Sequence, residues 1–176
     1  INLAYNQLEE KNNELIKDIG IESEKVLRAN LLEWFVSINF SVNNEQELLA
    51  SHQRLERFFL NNSKNKDVEY YYALGSFRVG RYYQTKNLTK AAFYFDKSEQ
   101  NGDKNLRLYS IICKGFAFLS AKVYEKVPSI INKLEGFNDL NKFQELNLHE
   151  IAARYYAEAN QIEQLIKHTN RGLTLL

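Results

Sequence analysis

The sequence predicts an all-α fold assembled from successive helical hairpins, an expectation resting on three observations. Seven glycines and one proline in 176 residues are too few for a β chain built on tight turns, and the Leu, Lys, Glu, Ala and Gln content favours helix. Across residues 70–100, Leu74, Phe77, Tyr83, Leu88, Ala91, Ala92 and Phe95 keep the three-and-four spacing of one helical face on either side of a turn at Lys86-Asn87. Small residues then recur along the chain, with Gly115 35 residues after Gly80 and Ala153 38 residues after Gly115. Gly80 and Ala91 are expected where neighbouring helices approach too closely for a large side chain.

In chain order, residues 1–20 read as one leading helix, half of an incomplete repeat, with Leu3, Leu8, Leu15, Ile16 and Ile19 on a narrow face and Gly20 as its stop. Residues 21–61 form a divergent hairpin. Ser23 is the expected cap of its first helix, with Val26, Leu27, Leu31, Trp34, Phe35 and Ile38 turned inward. Asn43-Asn44 break it, and Leu48, Leu49, Leu55, Phe58 and Phe59 line its partner. The polar stretch NNSKNKD at 61–67 is a loop, with Asp67 the expected cap of the hairpin 67–102. Gly102 ends that hairpin, and Asp103 caps the next, 103–136, where Pro128 suits a first helical turn. The last hairpin, 138–176, is opened by Asn138 or Asp139 and carries Leu148, Ile151 and Ala152, then Ile162, Leu165, Ile166 and Leu173.

Composition and motifs exclude several function classes. The 23 basic and 22 acidic residues leave a net charge of +1, so no overall field draws the chain to nucleic acid or an anionic membrane. No apolar run approaches a membrane span of about twenty residues, and no signal peptide opens the sequence. The absence of methionine, even at position 1, suggests a piece whose natural start has been removed. Cys113 is the single cysteine and excludes an internal disulfide. It has no cationic neighbour on its own helical face and reads as a buried apolar residue rather than a nucleophile. His52, His149 and His168 lie far apart, without the spacing of metal ligands. No glycine-rich loop cradles a phosphate, and no pair of acid–base groups stands out. The expectation is a protein without enzymatic activity, cofactor or metal.

Val79-Gly80, Tyr83, Ala91, Phe95 and Ser98 resemble the tetratricopeptide (TPR) motif, in which Leu-Gly and Tyr on a first helix are followed by Ala, an aromatic and Ala on a second. The stretch departs from the motif in having Ser76 where Trp is common and in a turn about one residue short. A generic antiparallel bundle is the competing fold. The resemblance implies a right-handed TPR-like solenoid of three to four hairpins whose first helices line a concave groove. On that register the groove residues are Asn39, then Phe77, Arg81 and Gln84, then Tyr109 and Phe116, then Asn147, Glu150 and Arg154. Asn and Gln can clamp a peptide backbone, and Arg can take a carboxylate through two hydrogen bonds. Each of these residues reads equally well as part of a solvated helix face.

A narrower resemblance covers about thirty residues. Tyr71-Tyr72, Phe77-Arg78 with Gly80 displaced, Lys86-Asn87, Ala91 and Tyr94-Phe95, with Arg171-Gly172-Leu173 near the end, are similar to the bacterial peptide-pheromone sensors of the Rap, NprR and PlcR group. This implies a cytoplasmic quorum-sensing regulator that takes up a short peptide and signals to an N-terminal helix-turn-helix or helical bundle, neither of which is found here. No catalytic glutamine can be carried over from the phosphatase-type members. The alternative is a structural scaffold or homodimer in which terminal hairpins pair with another copy, marked by an apolar patch at one end.

Overall fold

The computed structural model describes Gln7 and residues 20–176. The expected leading helix at 1–20 therefore lies outside the described residues except for Gln7 and Gly20. What is described is helical, with no strand: α1 (Ile21–Ser41), α2 (Glu45–Asn61), α3 (Lys66–Tyr83), α4 (Leu88–Asn101), α5 (Lys104–Ser120), a 3-10 turn (Tyr124–Lys126), α6 (Val127–Glu135), α7 (Lys142–Glu158) and α8 (Ile162–Thr174).

Side-chain caps start most of these helices by satisfying backbone N–H groups that have no partner inside the helix. Asn44, Asn87 and Asp103 accept from the backbone N–H of Glu47, Lys90 and Leu106. Three expected caps move. Asn65, not Asp67, caps α3, accepting from both Asp67 and Val68. Asn141, not Asn138 or Asp139, caps α7 through a capping box with Gln144. α1 begins at Ile21 behind Gly20 with no side-chain cap, so Ser23 lies inside it. Several Asx or Ser residues compete ahead of α3 and α7, and the packed position of the helix selects among them. α1, α5 and α7 end beside Asn43, Lys122 and Asn160, whose φ angles of 56°, 58° and 55° turn the chain through the left-handed region.

The helices pack in chain order. α1 lies against α2 and α3; α3 meets α2, α4 and α5; α5 meets α4, α6 and α7; α7 meets α6 and α8. Close approach at the small residues is as the sequence predicts. A Cβ on Gly80 would stand 2.7 Å from the Phe95 ring, and one on Gly115 would stand 2.9 Å from Ile151 and 3.0 Å from Ile130. Ala91 is fully enclosed. One apolar cluster joins α1 to α5 through Val36, Leu55, Tyr72, Val79, Phe95 and Cys113, and a second joins α5, α6 and α7 through Leu108, Ile111, Ile130, Ile131 and Ile151.

α1 departs from expectation in the face that it buries. Trp34 is 62% and Ile38 48% exposed, while Ala29, Phe35 and Val36 are buried together with the polar Glu33 and Asn39. Apolar residues lie almost all round this helix, so their spacing does not choose a side. α3 chooses it, by presenting Arg78 to the Glu33 carboxylate.

Candidate recognition face on α3, α5 and α7

The anchor of this face is Cys113, midway along α5. Arg81 on α3 reaches it, with Nη1 3.9 Å from Sγ, and the Gln84 side-chain amide donates to the Cys113 carbonyl at 3.3 Å. Burial pushes the Cys113 thiol up, and the Arg81 charge only partly opposes this. The sulfur stays a neutral, weak acceptor rather than a nucleophile. Tyr109 and Phe116 lie four residues before and three after Cys113, which puts all three on one side of α5. On α7 the Arg154 guanidinium lies 5.8 Å from the centre of the Phe116 ring and pairs with Glu150 at 2.5 Å. A connected band therefore runs from Gln84 and Arg81, across Cys113 and Phe116, to Arg154 and Glu150.

Charge along the band is uneven. Arg154 has Glu150, and Arg78, one turn before Arg81, has Glu33. Arg81 is exposed, and among the described residues no carboxylate lies within ion-pair distance of it. Asn147 uses its amide on its own helix, donating to the Phe143 carbonyl at 2.7 Å.

Two residues expected in the groove are buried or half-buried. Asn39 is only 2% exposed and points its amide between the Glu47 carbonyl and Ser51 Oγ, each at 3.4 Å, fastening α1 to α2 and leaving no surface for a ligand. Phe77 is half-buried, its ring 5.9 Å from Phe95 of α4. A repeat register assigns faces by counting along one helix, whereas these two faces are fixed by the neighbouring helices. Cys113 is buried, as the sequence predicts, but its contact with Arg81 is not legible there for the same reason. Its cationic neighbour comes from a helix 32 residues earlier, and nothing local to α5 signals it.

Several polar groups inside the protein are paired across helices. His52 Nε2 lies 2.9 Å from Ser76 Oγ between α2 and α3, and Ser110 donates to Ser98 at 2.9 Å between α4 and α5. His149 and His168 meet Nδ1 to Nδ1 at 3.0 Å between α7 and α8, so one ring must donate and the other accept. Burial lowers the proton affinity of both rings. A cleft of about 550 Å³ opens between α4, α5 and α6, lined by Phe93, Phe118, Lys114, Lys126 and Lys133, apart from the Arg81–Arg154 band. Among the described residues no three His, Cys, Asp or Glu side chains converge to hold a metal ion, and no helix is long and apolar enough to cross a membrane.

No family model matches this chain, and comparison with curated proteins and with solved structures finds no match either. The class defined by the structure is an all-helical protein whose helices pack in chain order.

Proposed function

We propose that the chain is a peptide- or protein-recognition domain of TPR-like architecture, a right-handed solenoid of hairpins that binds an extended segment across α3, α5 and α7. On this reading it is the ligand-sensing part of a cytoplasmic bacterial regulator responsive to a short peptide. The architecture is supported by the packing of each odd-numbered helix on the next, with the intervening even-numbered helix against both. It is supported further by the repeated small-against-large contacts at Gly80 and Gly115.

The observation that carries the binding function is Arg81. Its guanidinium is exposed, its one hydrogen-bond contact among the described residues is a weak sulfur acceptor, and it is flanked by the Gln84 amide and the aromatic side of α5. Exchanging that contact for a carboxylate gains a charge-assisted, two-pronged bond, while Gln84 and Tyr109 offer backbone-directed donors and acceptors. Phe116, held under Arg154, provides a flat apolar surface beyond them. The ligand class that fits is a short segment with an acidic side chain or a free C-terminal carboxylate at the Arg81 end.

The test is hydrogen exchange and fluorescence anisotropy with a library of short peptides, each with free and amidated C-termini. Protection on α3 and α5 around Arg81, lost with Arg81→Ala by about tenfold to a hundredfold in affinity, is the expected result. Binding that ignores Arg81→Ala, or no protection at high peptide concentration, would reject the proposal.

A further inference from the structure

The cleft between α4, α5 and α6 has largely apolar walls. Leu88, Ala92 and Phe93 come from α4, Phe118 from α5 and Ile130 from α6, around a volume of about 550 Å³. That is the size of a site for a small molecule. Phe93 is still 53% exposed in this lining, although Lys97 Nζ stands 4.6 Å from the centre of its ring. Lys114 and Phe118 lie one turn apart on the side of α5 roughly opposite Tyr109, Cys113 and Phe116. The cleft and the Arg81–Arg154 band therefore use different sides of the same helix.

The charges around the cleft divide into a closed set and one left over. Lys114, only 6% exposed, pairs with Asp96 and, at 2.7 Å, with Glu99, and Lys133 reaches Glu99 from α6 at 2.5 Å. Two ammonium groups and two carboxylates thus cancel and tie α4, α5 and α6 together, which sets the shape of the cleft before any ligand enters. A ligand that drew Lys114 away would leave a buried charge unpaired, so these four groups are not its partners. Lys126 also lines the cleft. It is exposed, and among the described residues no carboxylate lies within ion-pair distance of it. A ligand matched to this lining has an apolar body and a single negative charge. A phosphate ester with two charges would leave one of them uncompensated. An extended peptide needs a row of donors and acceptors for its backbone, and the Ser129 hydroxyl in the lining already donates to the Lys126 carbonyl at 2.8 Å.

We propose that this cleft is a binding site for a small amphiphilic monoanion, a carboxylate on an apolar chain, whose charge meets Lys126 and whose chain lies against Phe93 and Phe118. The site is separate from the Arg81–Arg154 band and does not depend on peptide binding.

The test is a nuclear magnetic resonance titration of the whole chain with decanoate and with decylammonium, which share a chain and differ in the sign of the head group, both below their micelle concentrations. Decanoate should bind with a dissociation constant of about 0.1 to 1 mM, and decylammonium about tenfold more weakly. Hydrogen exchange with decanoate should show protection on α4 and α6. Lys126→Glu, an exposed change that should leave the helical circular dichroism as it is, should reverse the preference between the two head groups. Lys167→Glu makes the same charge change on α8, away from the cleft, and should bind both as the parent does. Phe93→Ala should weaken both about threefold to tenfold, because it removes chain contact without touching charge. Equal affinity for the two head groups in the parent, no decanoate binding in that range, or the same loss in Lys126→Glu and Lys167→Glu would overturn the proposal. Protection on α3 around Arg81 in place of α4 and α6 would overturn it by placing the carboxylate on the other side of α5.

Discussion

The two central hairpins and the last one solve the same packing problem differently. Fifteen residues after Gly80 stands Phe95, and fifteen after Gly115 stands Ile130, each in contact with its glycine. Fifteen after Ala153 stands His168, equally buried but hydrogen-bonded to His149. In the central pairs a missing Cβ lets the backbones approach, and dispersion and burial supply the stability. In the last pair two polar rings must share one proton between their facing nitrogens. A contact of the first kind is insensitive to pH and intolerant of added volume. A contact of the second kind is sensitive to pH and depends on both partners being present.

The largest expected effect breaks the central kind. Phe95→Ala empties a fully enclosed site against Gly80 and should cost about 4 kcal/mol in denaturant unfolding. Acid should break the other kind. Burial first, with Lys97 acting in the same direction and Glu56 opposing both, lowers His52 from 6.5 to about 4. The folded protein therefore resists a proton that the unfolded chain accepts. The stability from this group is complete above pH 6.5 and is lost as pH falls towards 4, amounting to roughly 3 kcal/mol. His149 and His168, also lowered mainly by burial, add a loss of the same sign below pH 6.5. Unfolding curves measured at pH 7 and pH 4.5 in the parent and in His52→Gln should show a smaller acid loss in the variant.

Gly80→Val should cost about 2 kcal/mol by pressing on the Phe95 ring, and the double variant with Phe95→Ala should be more stable than the two single losses added together. An additive result would mean that Gly80 is required for a reason other than this contact. The smallest effect is expected at the start of α7, where Asn141→Ala removes the capping box for about 1 kcal/mol without altering the acid response of the hairpin.

How legible each contact was in the sequence follows the same division. Gly80, Ala91 and Gly115 stand out because small residues are uncommon at regular positions in helices rich in aromatics, and their spacing survives in one dimension. The His149–His168 pair joins residues on two helices, each unremarkable on a polar helix face. Of the positions expected on alternate helices, Arg81, Tyr109, Glu150 and Arg154 are exposed and Gln84 and Phe116 half-buried, while the contact through which Arg81 and Gln84 meet α5 at Cys113 has no signal in the sequence. α1 was the least legible, since its apolar residues surround the helix and the buried side includes Glu33 and Asn39.

By itself the sequence determined that this chain is helical, roughly where its helices begin and end, and which small residues permit close approach. Those properties depend on backbone propensity, on caps a few residues away and on periodicity along a single helix, all of which are local. Tertiary structure decided which side of α1 is covered, which Asn closes each turn, that Asn39 is a core fastener, and that Arg81 meets the Cys113 sulfur of α5. Each of these depends on what a helix dozens of residues away presents at the same point in space, and the energy of a buried polar or charged group is set by that neighbour rather than by its own segment.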